Sequence, residues 1–384
     1  MIYFDNAATT FPKPPSVINE MITCMTTYCG NPGRSGHFLS VKAAEKIYDC
    51  RELISRTFGI TNATNVIFTP NTTTSLNIAI RAFAKKRSHI IISDIEHNSV
   101  YRTVASLAKQ GIDFDIFKVD PYDNGNTVRN LRSKIRSNTA MVVCNHVSNV
   151  CGIVLPLFEI GQLCKRFGLS FIVDGAQSVG THRIDVTGFN IDALCCPGHK
   201  GLYGPQGTGF IVLADKYAKE SLVSHLSPFI TGGNGVNSAE RKMPDILPEK
   251  FEGGTLNTPG IAGLYEGIKF VEQKNPDSIF RHVAGLYRTA ADMVSSLPNT
   301  TVYYKDLPQS SCLLFNVNGI DSDAVSDRLN DFGICVRGGL HCSPLIHKKL
   351  GLEKGAVRAS FSCFNTRSEL DLFYNAMKSI TFIG

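Results

Sequence analysis

Phe171-Ile172-Val173-Asp174-Gly175-Ala176-Gln177-Ser178 and the later block Pro197-Gly198-His199-Lys200-Gly201 decide the fold of this chain. Each block contains or follows a short apolar run that is typical of a buried strand. An acid at one strand end and a lysine at the next can hold the two ends of one flat cofactor. Pyridoxal phosphate needs an amine to bind its aldehyde and an anion beside its ring nitrogen. We therefore predict that Lys200 and Asp174 bind pyridoxal phosphate.

Around these blocks, short β-branched runs alternate with amphipathic stretches. This alternation is typical of an α/β fold with a mainly parallel sheet and helices on both faces. A second strand set and a final helix from Ser368 are expected further on. The strands predicted for the large sheet are 66–68, 89–92, 113–117, 140–144, 170–173, 193–196 and 209–213, and those of the second set are 311–317 and 333–337.

The length of 384 residues and the 43% hydrophobic content suit a large domain followed by a smaller one. We predict a large cofactor-binding domain over residues 1–256, with the segment 1–14 packing against the small domain. Residues 257–384 are expected to form the small α/β domain. Gly, Pro and charged residues between Ser227 and Gly254 predict a long irregular connection.

Composition excludes several classes of partner and site. The net charge of +6 comes without a long run of Lys or Arg, so neither nucleic acid nor an anionic membrane is expected as a partner. The first residues show neither a basic leader nor an apolar signal core, so no signal sequence is expected, and no segment approaches bilayer-spanning length. The twelve cysteines are scattered without zinc-ligand spacing, so no metal is expected and most of them should be core residues. Many reduced thiols favour a cytoplasmic location.

Polar residues follow several of the predicted strands. Thr72 and Thr73 stand where a strand meets a helix, so they could hold a phosphate at the positive helix end, or they could be ordinary N-capping residues. His97 follows the next strand, where an imidazole could lie against a planar ring, although a loop histidine is more often a surface residue. The block 145–149 repeats the arrangement at a third strand end. Their accumulation favours one shared crevice.

The glycine-rich block 204–209 does not predict a dinucleotide site. It lacks the full glycine fingerprint, and it precedes an apolar strand instead of opening a helix. The first strand–turn–helix also lacks a glycine-rich pyrophosphate turn. An NAD-dependent oxidoreductase is therefore disfavoured.

Together these motifs resemble those of the class V aminotransferase family, and within it the cysteine desulfurases of the group that includes SufS-like enzymes and selenocysteine lyases. The resemblance implies the pyridoxal-phosphate-dependent transferase fold type I and a homodimer with active sites shared at the subunit interface. The blocks that carry it are 3–10, 31–37, 96–98, 146–149, 173–177, 198–200, 251–258, 336–342 and 357–361.

Residue by residue, the resemblance implies a full set of cofactor contacts. These are Lys200 for the aldehyde, Asp174 for the ring nitrogen, Gln177 for the ring oxygen, His97 stacked on the ring, Thr72, Thr73 and His199 at the phosphate, Asn149 beside the cofactor, and Thr255 reaching the phosphate from the other subunit. Pro197 departs from the family, which often has a hydroxyl residue there, so one phosphate contact is expected to be absent or supplied by backbone.

Substrate residues are implied in the same way. Arg358 resembles the arginine that holds the substrate carboxylate, for which a planar guanidinium is suited. Arg337 and Asn149 are expected beside it. Cys342 matches the sulfur-accepting cysteine, and Arg337 and His341 are expected to favour its thiolate. The glycine-rich, polar flank of Cys342 argues against burial.

The implied reaction converts L-cysteine into L-alanine and leaves the sulfur as a persulfide on Cys342, with Lys200 and His97 as the other catalytic residues. The sulfur would then pass to an acceptor protein, for iron–sulfur assembly or another thio-cofactor. Three alternatives stay open: a selenocysteine lyase acting on L-selenocysteine, another class V enzyme such as an aminotransferase, and a non-catalytic sulfur-relay partner.

Overall fold

The computed structural model describes residues 1–33, 35–236, 239–307 and 311–381. Three residues of the sequence blocks named above therefore lie outside the described residues. They are Arg34 of the block 31–37, and Asn237 and Ser238 of the predicted connection between Ser227 and Gly254.

The strands alternate with helices through the first half of the chain. The strands are β1 (Ile2–Tyr3), β2 (Val66–Thr69), β3 (His89–Ser93), β4 (Asp113–Phe117), β5 (Thr139–Asn145), β6 (Ser170–Asp174), β7 (Ala193–Pro197), β8 (Gly209–Leu213), β9 (Thr300–Tyr303), β10 (Cys312–Val317), β11 (Ile334–Cys335) and β12 (Val357–Ser360). The helices are α1 (Pro15–Thr23), α2 (Phe38–Thr57), α3 (Thr72–Phe83), α4 (Asn98–Ala108), α5 (Asn124–Arg132), α6 (Leu157–Phe167), α7 (Glu220–Val223), α8 (Thr258–Lys274), α9 (Pro276–Ser295), α10 (Ser322–Asp331), α11 (Pro344–Lys349) and α12 (Arg367–Thr381).

The largest sheet in the described part of the chain has seven strands, in the order β2-β8-β7-β6-β5-β3-β4. Strands β7, β6, β5, β3 and β4 pair in parallel, and β8 runs antiparallel to both of its neighbours. The α/β fold class is confirmed, as are the strands predicted for this sheet, whose ends differ from the prediction by one residue at most.

Helices cover both faces of this sheet, so its strands are apolar on both sides. Side chains alternate between the two faces with a period of two residues. The vicinal Cys195 and Cys196 of β7 consequently point into opposite faces. One face carries Ile91, Val142, Cys144, Phe171, Val173, Leu194, Cys196 and Phe210, and the other carries Ile90, Ile92, Met141, Val143, Ile172, Ala193, Cys195 and Ile211.

The C-terminal part holds two smaller sheets. Strands β12, β10 and β9 form an antiparallel sheet, whereas β11 pairs in parallel with β1 at the start of the chain. The expectation that 311–317 and 333–337 belong to one strand set was therefore wrong. Strand β12 was missed because Arg358 interrupts its short apolar run, a buried charge that the sequence alone gives no reason to expect.

The division into domains at residue 256 falls just before α8 and stays a prediction.

Eight of the twelve cysteines are buried, which confirms that most are core residues. Within the described ranges, the helices are all too short or too polar to cross a bilayer.

The irregular connection after residue 227 is anchored by a buried ion pair. Arg51 of α2 donates to Glu252 at 2.7 Å, and both side chains are less than one-tenth exposed. Glu252 also accepts the backbone N–H of Phe68 in β2 at 2.6 Å, and Arg51 donates to the Val66 carbonyl. The end of the connection, just before Thr255, is thereby fixed against the edge of the large sheet.

Replacing Arg51 with alanine should lower the free energy of unfolding by about 3–5 kcal/mol, because Glu252 would be left as an unpaired buried carboxylate. Denaturant titration followed by circular dichroism measures the loss. The exposed pair of Arg129 and Asp123, at 3.2 Å, is the matched control. Arg129→Ala should cost less than about 1 kcal/mol, and equal losses for the two variants would contradict the anchor.

Candidate active site

A pocket opens at the carboxyl ends of the parallel strands of the large sheet. The space between its walls, including the part open to solvent, is about 510 Å³. Most of the residues predicted to touch a cofactor line it. The pocket is lined by Asn71, Thr72, Thr73, His97, Ser99, Asn145, Val147, Asn149, Asp174, Ala176, Gln177, His199 and Lys200.

Lys200 and Asp174 both line this pocket, Asp174 buried and Lys200 half-buried. Asp174 ends β6, is 3% exposed, and accepts the backbone N–H of Ala176 at 2.9 Å. Burial raises the pKa of Asp174, and the nearby Lys200 opposes this. Burial also lowers the pKa of Lys200 to about 8, against the attraction of Asp174. A larger fraction of this amine than of an ordinary lysine is therefore unprotonated, and so nucleophilic, near neutral pH.

Two histidines flank the pocket as neutral rings. His97 stands at the start of α4, where its Nδ1 accepts the backbone N–H of Ser99 at 3.1 Å. Burial, reinforced by Lys200, lowers its pKa to about 4. Burial has the same effect on His199, whose Nδ1 lies 3.1 Å from Thr9 Oγ1. Both rings are uncharged at neutral pH, so His97 has the planar, neutral character that stacking requires.

The start of α3 carries a hydroxyl that the protein itself does not use. Asn71 caps the helix, because its Oδ1 accepts the backbone N–H of Thr74 at 2.9 Å. Thr72 Oγ1 is buried and makes no hydrogen bond within the protein. A buried hydroxyl at the positive end of a twelve-residue helix suits a phosphate oxygen. The capping alternative for Thr72 is thus disfavoured, since Asn71 fills that role.

These donors fit pyridoxal phosphate. The pocket offers an amine for the aldehyde, a buried carboxylate for the ring nitrogen, a neutral imidazole for the ring face, and an orphaned hydroxyl at a helix start for the phosphate. Gln177 is held at the rim by the N-terminal segment, because its Nε2 donates to the Ala7 carbonyl at 2.9 Å.

Arg358 lies on β12 as a buried cation with a spare donor. Its Nη2 donates to Asp5 Oδ1 at 2.7 Å, and its Nη1 donates to the main-chain oxygen of Asn149 at 2.9 Å. Its Nε is buried without a hydrogen-bond partner in the protein. A buried N–H of this kind calls for an acceptor, and a substrate carboxylate is one that the guanidinium geometry suits.

Asp5 was missed as a site residue. It also pairs with Arg337, whose Nε lies 3.1 Å from Asp5 Oδ2 and whose side chain is half exposed. Asp5 therefore bridges the two arginines predicted to bind substrate. The N-terminal block 3–10 contains Asp5, but only the fold reveals that this segment reaches β12, 353 residues further along the chain.

Cys342 is exposed on a loop that docks at the pocket rim. Its main-chain oxygen accepts the backbone N–H of Asn98 at 2.8 Å, one residue after His97. The expectation that Cys342 escapes burial is confirmed. The loop thus brings an accessible thiol beside the helix start that carries a pocket histidine.

The expectation that His341 favours a thiolate was wrong. His341 is 6% exposed, its Nδ1 lies 3.2 Å from His347 Nε2, and its Nε2 lies 3.2 Å from the Arg337 carbonyl. Burial, reinforced by the Arg358 charge, lowers its pKa to about 3. A neutral ring supplies no positive charge to a neighbouring thiol.

Thr255 lies outside this pocket in the single chain. It lines a neighbouring cavity with Glu252 and Gly207. Sequence reasoning also missed three polar residues of the main pocket, namely Asn71, Ser99 and Asn145. Asn145 ends β5 inside the block 145–149, whereas Asn71 and Ser99 stand at the starts of the helices that follow β2 and β3, and these positions are the signal that could have found them.

Comparisons with known proteins point to a single family. Residues 2–373 match the family model described as Aminotransferase class-V. A probable cysteine desulfurase of Methanothermobacter thermautotrophicus is 32% identical, and the match covers 100% of this chain and 95% of that protein. The apo structure of the cysteine desulfurase from Thermococcus onnurineus superposes with a TM-score of 0.91 at 30% identity, covering 100% of this chain and 95% of that one. The Escherichia coli cysteine desulfurase CsdA gives 0.87 at 25% identity, covering 99% and 94%.

The lowered pKa of Lys200 predicts how cofactor loading depends on pH. The neutral amine is the reactive form, so the rate at which the cofactor-free protein binds pyridoxal phosphate should rise as Lys200 loses its proton near pH 8. The rate should rise about tenfold between pH 7 and 9 and then level off. Stopped-flow visible absorbance measures it.

Two variants serve as controls for this measurement. Lys200→Ala should abolish the visible band of the bound cofactor, whereas Lys109→Ala, at an exposed position on the surface, should leave the whole profile unchanged. A rate that still climbs at pH 10 would mean that Lys200 titrates like an ordinary surface lysine.

Proposed function

The chain belongs to the class V aminotransferase family, and from this membership we propose that it is a pyridoxal-phosphate-dependent cysteine desulfurase. It would convert L-cysteine into L-alanine and retain the sulfur on Cys342. The observation that carries the proposal is the docking of the Cys342 loop on α4, at the hydrogen bond from Asn98 N to Cys342 O. This contact holds the main chain of Cys342 one residue from His97, which lines the pocket with Lys200 and Asp174.

Pyridoxal phosphate, the cofactor of this family, supplies an electrophilic aldehyde and an electron sink that stabilises negative charge at the substrate Cα. Lys200 would bind the aldehyde, and its released amine would take up the Cα proton at Nζ. Asp174 would keep the ring nitrogen protonated, Gln177 would donate to the ring oxygen, and His97 would cover the ring face.

The phosphate would be held at the start of α3. Thr72 Oγ1, which lacks a partner in the protein, would donate to it together with Thr73, and the helix dipole would add to the attraction. His199 lies across the pocket, where Lys13 Nζ donates to its carbonyl at 2.7 Å. Its ring would complete the phosphate contacts, offsetting the proline at position 197.

The substrate carboxylate would bind Arg358 through the spare Nε–H. Asp5 holds the guanidinium in place by its bond to Nη2 and neutralises part of its charge while the site is empty of substrate. Arg337, half exposed and paired with the same carboxylate, would add a second positive charge at the entrance.

Sulfur transfer is then a balanced exchange. The Cys342 sulfur, as its thiolate, attacks the sulfur of L-cysteine. The S–S bond forms as the C–S bond breaks, and the electron pair of that bond remains on the substrate carbon, which takes a proton to give L-alanine. One thiol and one L-cysteine thus yield one persulfide and one L-alanine. An external thiol reductant releases the sulfur as sulfide, and a sulfur-acceptor protein, for iron–sulfur or other thio-cofactor assembly, would take it without a reductant.

A selenocysteine lyase is the second candidate, because the same thiol can remove selenium from L-selenocysteine. The residues needed for either reaction lie together, which counts against the non-catalytic sulfur relay. An amino-transfer reaction needs no thiol, so it would not account for the position of Cys342.

The active form would be a homodimer in which Thr255 of one subunit reaches the phosphate site of the other. Two features support this arrangement. Thr255 lies outside the pocket of its own chain, and the Arg51–Glu252 anchor holds the adjoining segment in a fixed place at the sheet edge. The reducing cytoplasm, which keeps Cys342 as a thiol, is the compartment that this chemistry requires.

Purified protein loaded with cofactor should release L-alanine from L-cysteine in the presence of a thiol reductant. Cys342→Ala should keep the visible band of the cofactor and lose at least about a thousandfold in alanine release, since no other nucleophile replaces the thiol. Cys29→Ala, at another exposed cysteine, is the matched control with full activity. Turnover that survives in Cys342→Ala would refute the role of this thiol.

The same assay separates the candidate reactions. Alanine from L-cysteine identifies a desulfurase, and alanine from L-selenocysteine alone identifies a selenocysteine lyase. Turnover that depends on an added keto acid and ignores the loss of Cys342 identifies an aminotransferase.

Arg358→Gln should raise the KM for L-cysteine by about tenfold to a hundredfold, because a charged hydrogen bond to the substrate carboxylate is lost. Arg337→Gln should raise it less, since that side chain is half exposed. Initial rates over a range of L-cysteine concentrations measure both, with the cofactor spectrum as a check on folding. An unchanged KM in Arg358→Gln would mean that the substrate carboxylate binds at another place.

A further inference from the structure

The loop that carries Cys342 has an unusual backbone. We call residues 337–343 the cysteine loop. His341 and Cys342 both adopt left-handed conformations, with φ of 50° and 56°, and Gly339 precedes them at 90°. Residues with a Cβ rarely adopt this region, and two in succession persist only where surrounding contacts hold them. The contacts that hold this loop therefore decide where the thiol lies.

The amide of Asn149 contacts the loop on both sides of Cys342. Its Nδ2 donates to the main-chain oxygen of His341 at 2.8 Å, and its Oδ1 accepts from Ser343 Oγ at 2.7 Å. Asn149 is 7% exposed and Ser343 is fully buried. One rigid planar group thus fixes the residue before the cysteine and the residue after it.

Ser343 gives up its usual role to make this contact. It stands at the N-cap of α11, where a serine hydroxyl ordinarily accepts a backbone N–H of the first turn. Here its side chain makes no capping bond and donates to Asn149 instead. The hydroxyl of Ser343 therefore holds the cysteine loop and does not cap α11.

The main chain of Cys342 is held as well, while its side chain is accessible. Its oxygen accepts the N–H of Asn98 at 2.8 Å, and the residue is exposed. The thiol consequently projects from a backbone fixed on three sides.

Asn149 also contacts the proposed carboxylate site, through a different atom. Its main-chain oxygen accepts Arg358 Nη1 at 2.9 Å. The side chain of Asn149 therefore contacts the cysteine loop, and its main chain contacts Arg358. A substitution of the side chain removes the contacts to the loop and keeps the main-chain contact to Arg358.

We infer that Asn149 is a positioning residue, whose amide holds Cys342 at a fixed place relative to the carboxylate bound by Arg358. This inference rests on the proposed function and refines it. The sequence suggested that Asn149 contacts cofactor and substrate, whereas both polar atoms of its side chain are hydrogen-bonded to the cysteine loop.

The split between kcat and KM tests the inference in the cofactor-loaded enzyme. Asn149→Ala and Ser343→Ala should each lower kcat for alanine release by about tenfold, with KM for L-cysteine changed less than about twofold. Ser343→Ala is the milder change, so it serves if Asn149→Ala folds poorly. The matched control is Asn130→Ala, which removes an amide bonded to the Lys118 carbonyl at 3.0 Å on the surface and should behave as wild type.

Hydrogen exchange followed by mass spectrometry gives a second readout that needs no turnover. Peptides spanning residues 338–345 should exchange about tenfold faster in both loop variants than in wild type, because the clamped backbone is released. Peptides from β6 and β7 should be unaffected, as should the cofactor spectrum.

Two results would overturn the inference. One is an Asn149→Ala enzyme with raised KM and retained kcat while Ser343→Ala matches wild type, since this would mean that the amide binds substrate. The other is unchanged exchange of the cysteine loop in both variants. Failure of the proposed function looks different, because wild-type enzyme would then release no alanine from L-cysteine while the exchange comparison still reported on the clamp.

Discussion

The burial of an amine beside a carboxylate, at the ends of two neighbouring parallel strands, is the constraint on which the rest of the site depends. Asp174 pairs in register with Cys195 on the adjacent strand, and Lys200 follows five residues later. Burial destabilises both charged forms, so each needs the other or a ligand. The result is an amine that is nucleophilic near neutral pH, held in a pocket whose remaining donors face the same space. Helix α3, helix α4 and the N-terminal segment are arranged around this pair.

The N-terminal segment joins the two parts of the chain that make the site. Strand β1 pairs with β11, and the residues after it contact both the large-sheet pocket and β12. Ala7 accepts from Gln177, Thr9 meets His199, and Asp5 pairs with Arg358. A segment of about ten residues thereby fixes β12 and Arg358 relative to the pocket of the large sheet. The sequence contains this segment in full, but its role depends on contacts that no local pattern encodes.

Much of the large sheet could be predicted, because a strand buried on both faces is apolar at every position and stands out in the sequence. The same reasoning failed for β12, where a buried arginine is neutralised by Asp5 from the far end of the chain. Thr72, Thr73 and His97 could be singled out from their positions after strands, whereas Gln177 and His199 were implied only by the family resemblance. The neutral state of His341 could not, since it follows from burial against His347 and Arg337. The sequence left two roles for Thr72, phosphate binding and helix capping. The structure shows that Asn71 is the residue that caps α3. The place of Thr255 in a shared site remains a prediction.

Successive side chains of β7 point to opposite faces of the sheet. This has a chemical consequence for a protein that would carry sulfur in a form that other thiols can take. Because Cys195 and Cys196 face opposite layers, they cannot be oxidised to a disulfide with each other without breaking the strand. Burial raises the pKa of both thiols, and of Cys144 on β5, so they stay protonated and unreactive. A persulfide formed on the surface loop would thus be kept apart from the eight buried thiols. Burial of most cysteines in this way would limit sulfur exchange between the loop and the interior of the chain.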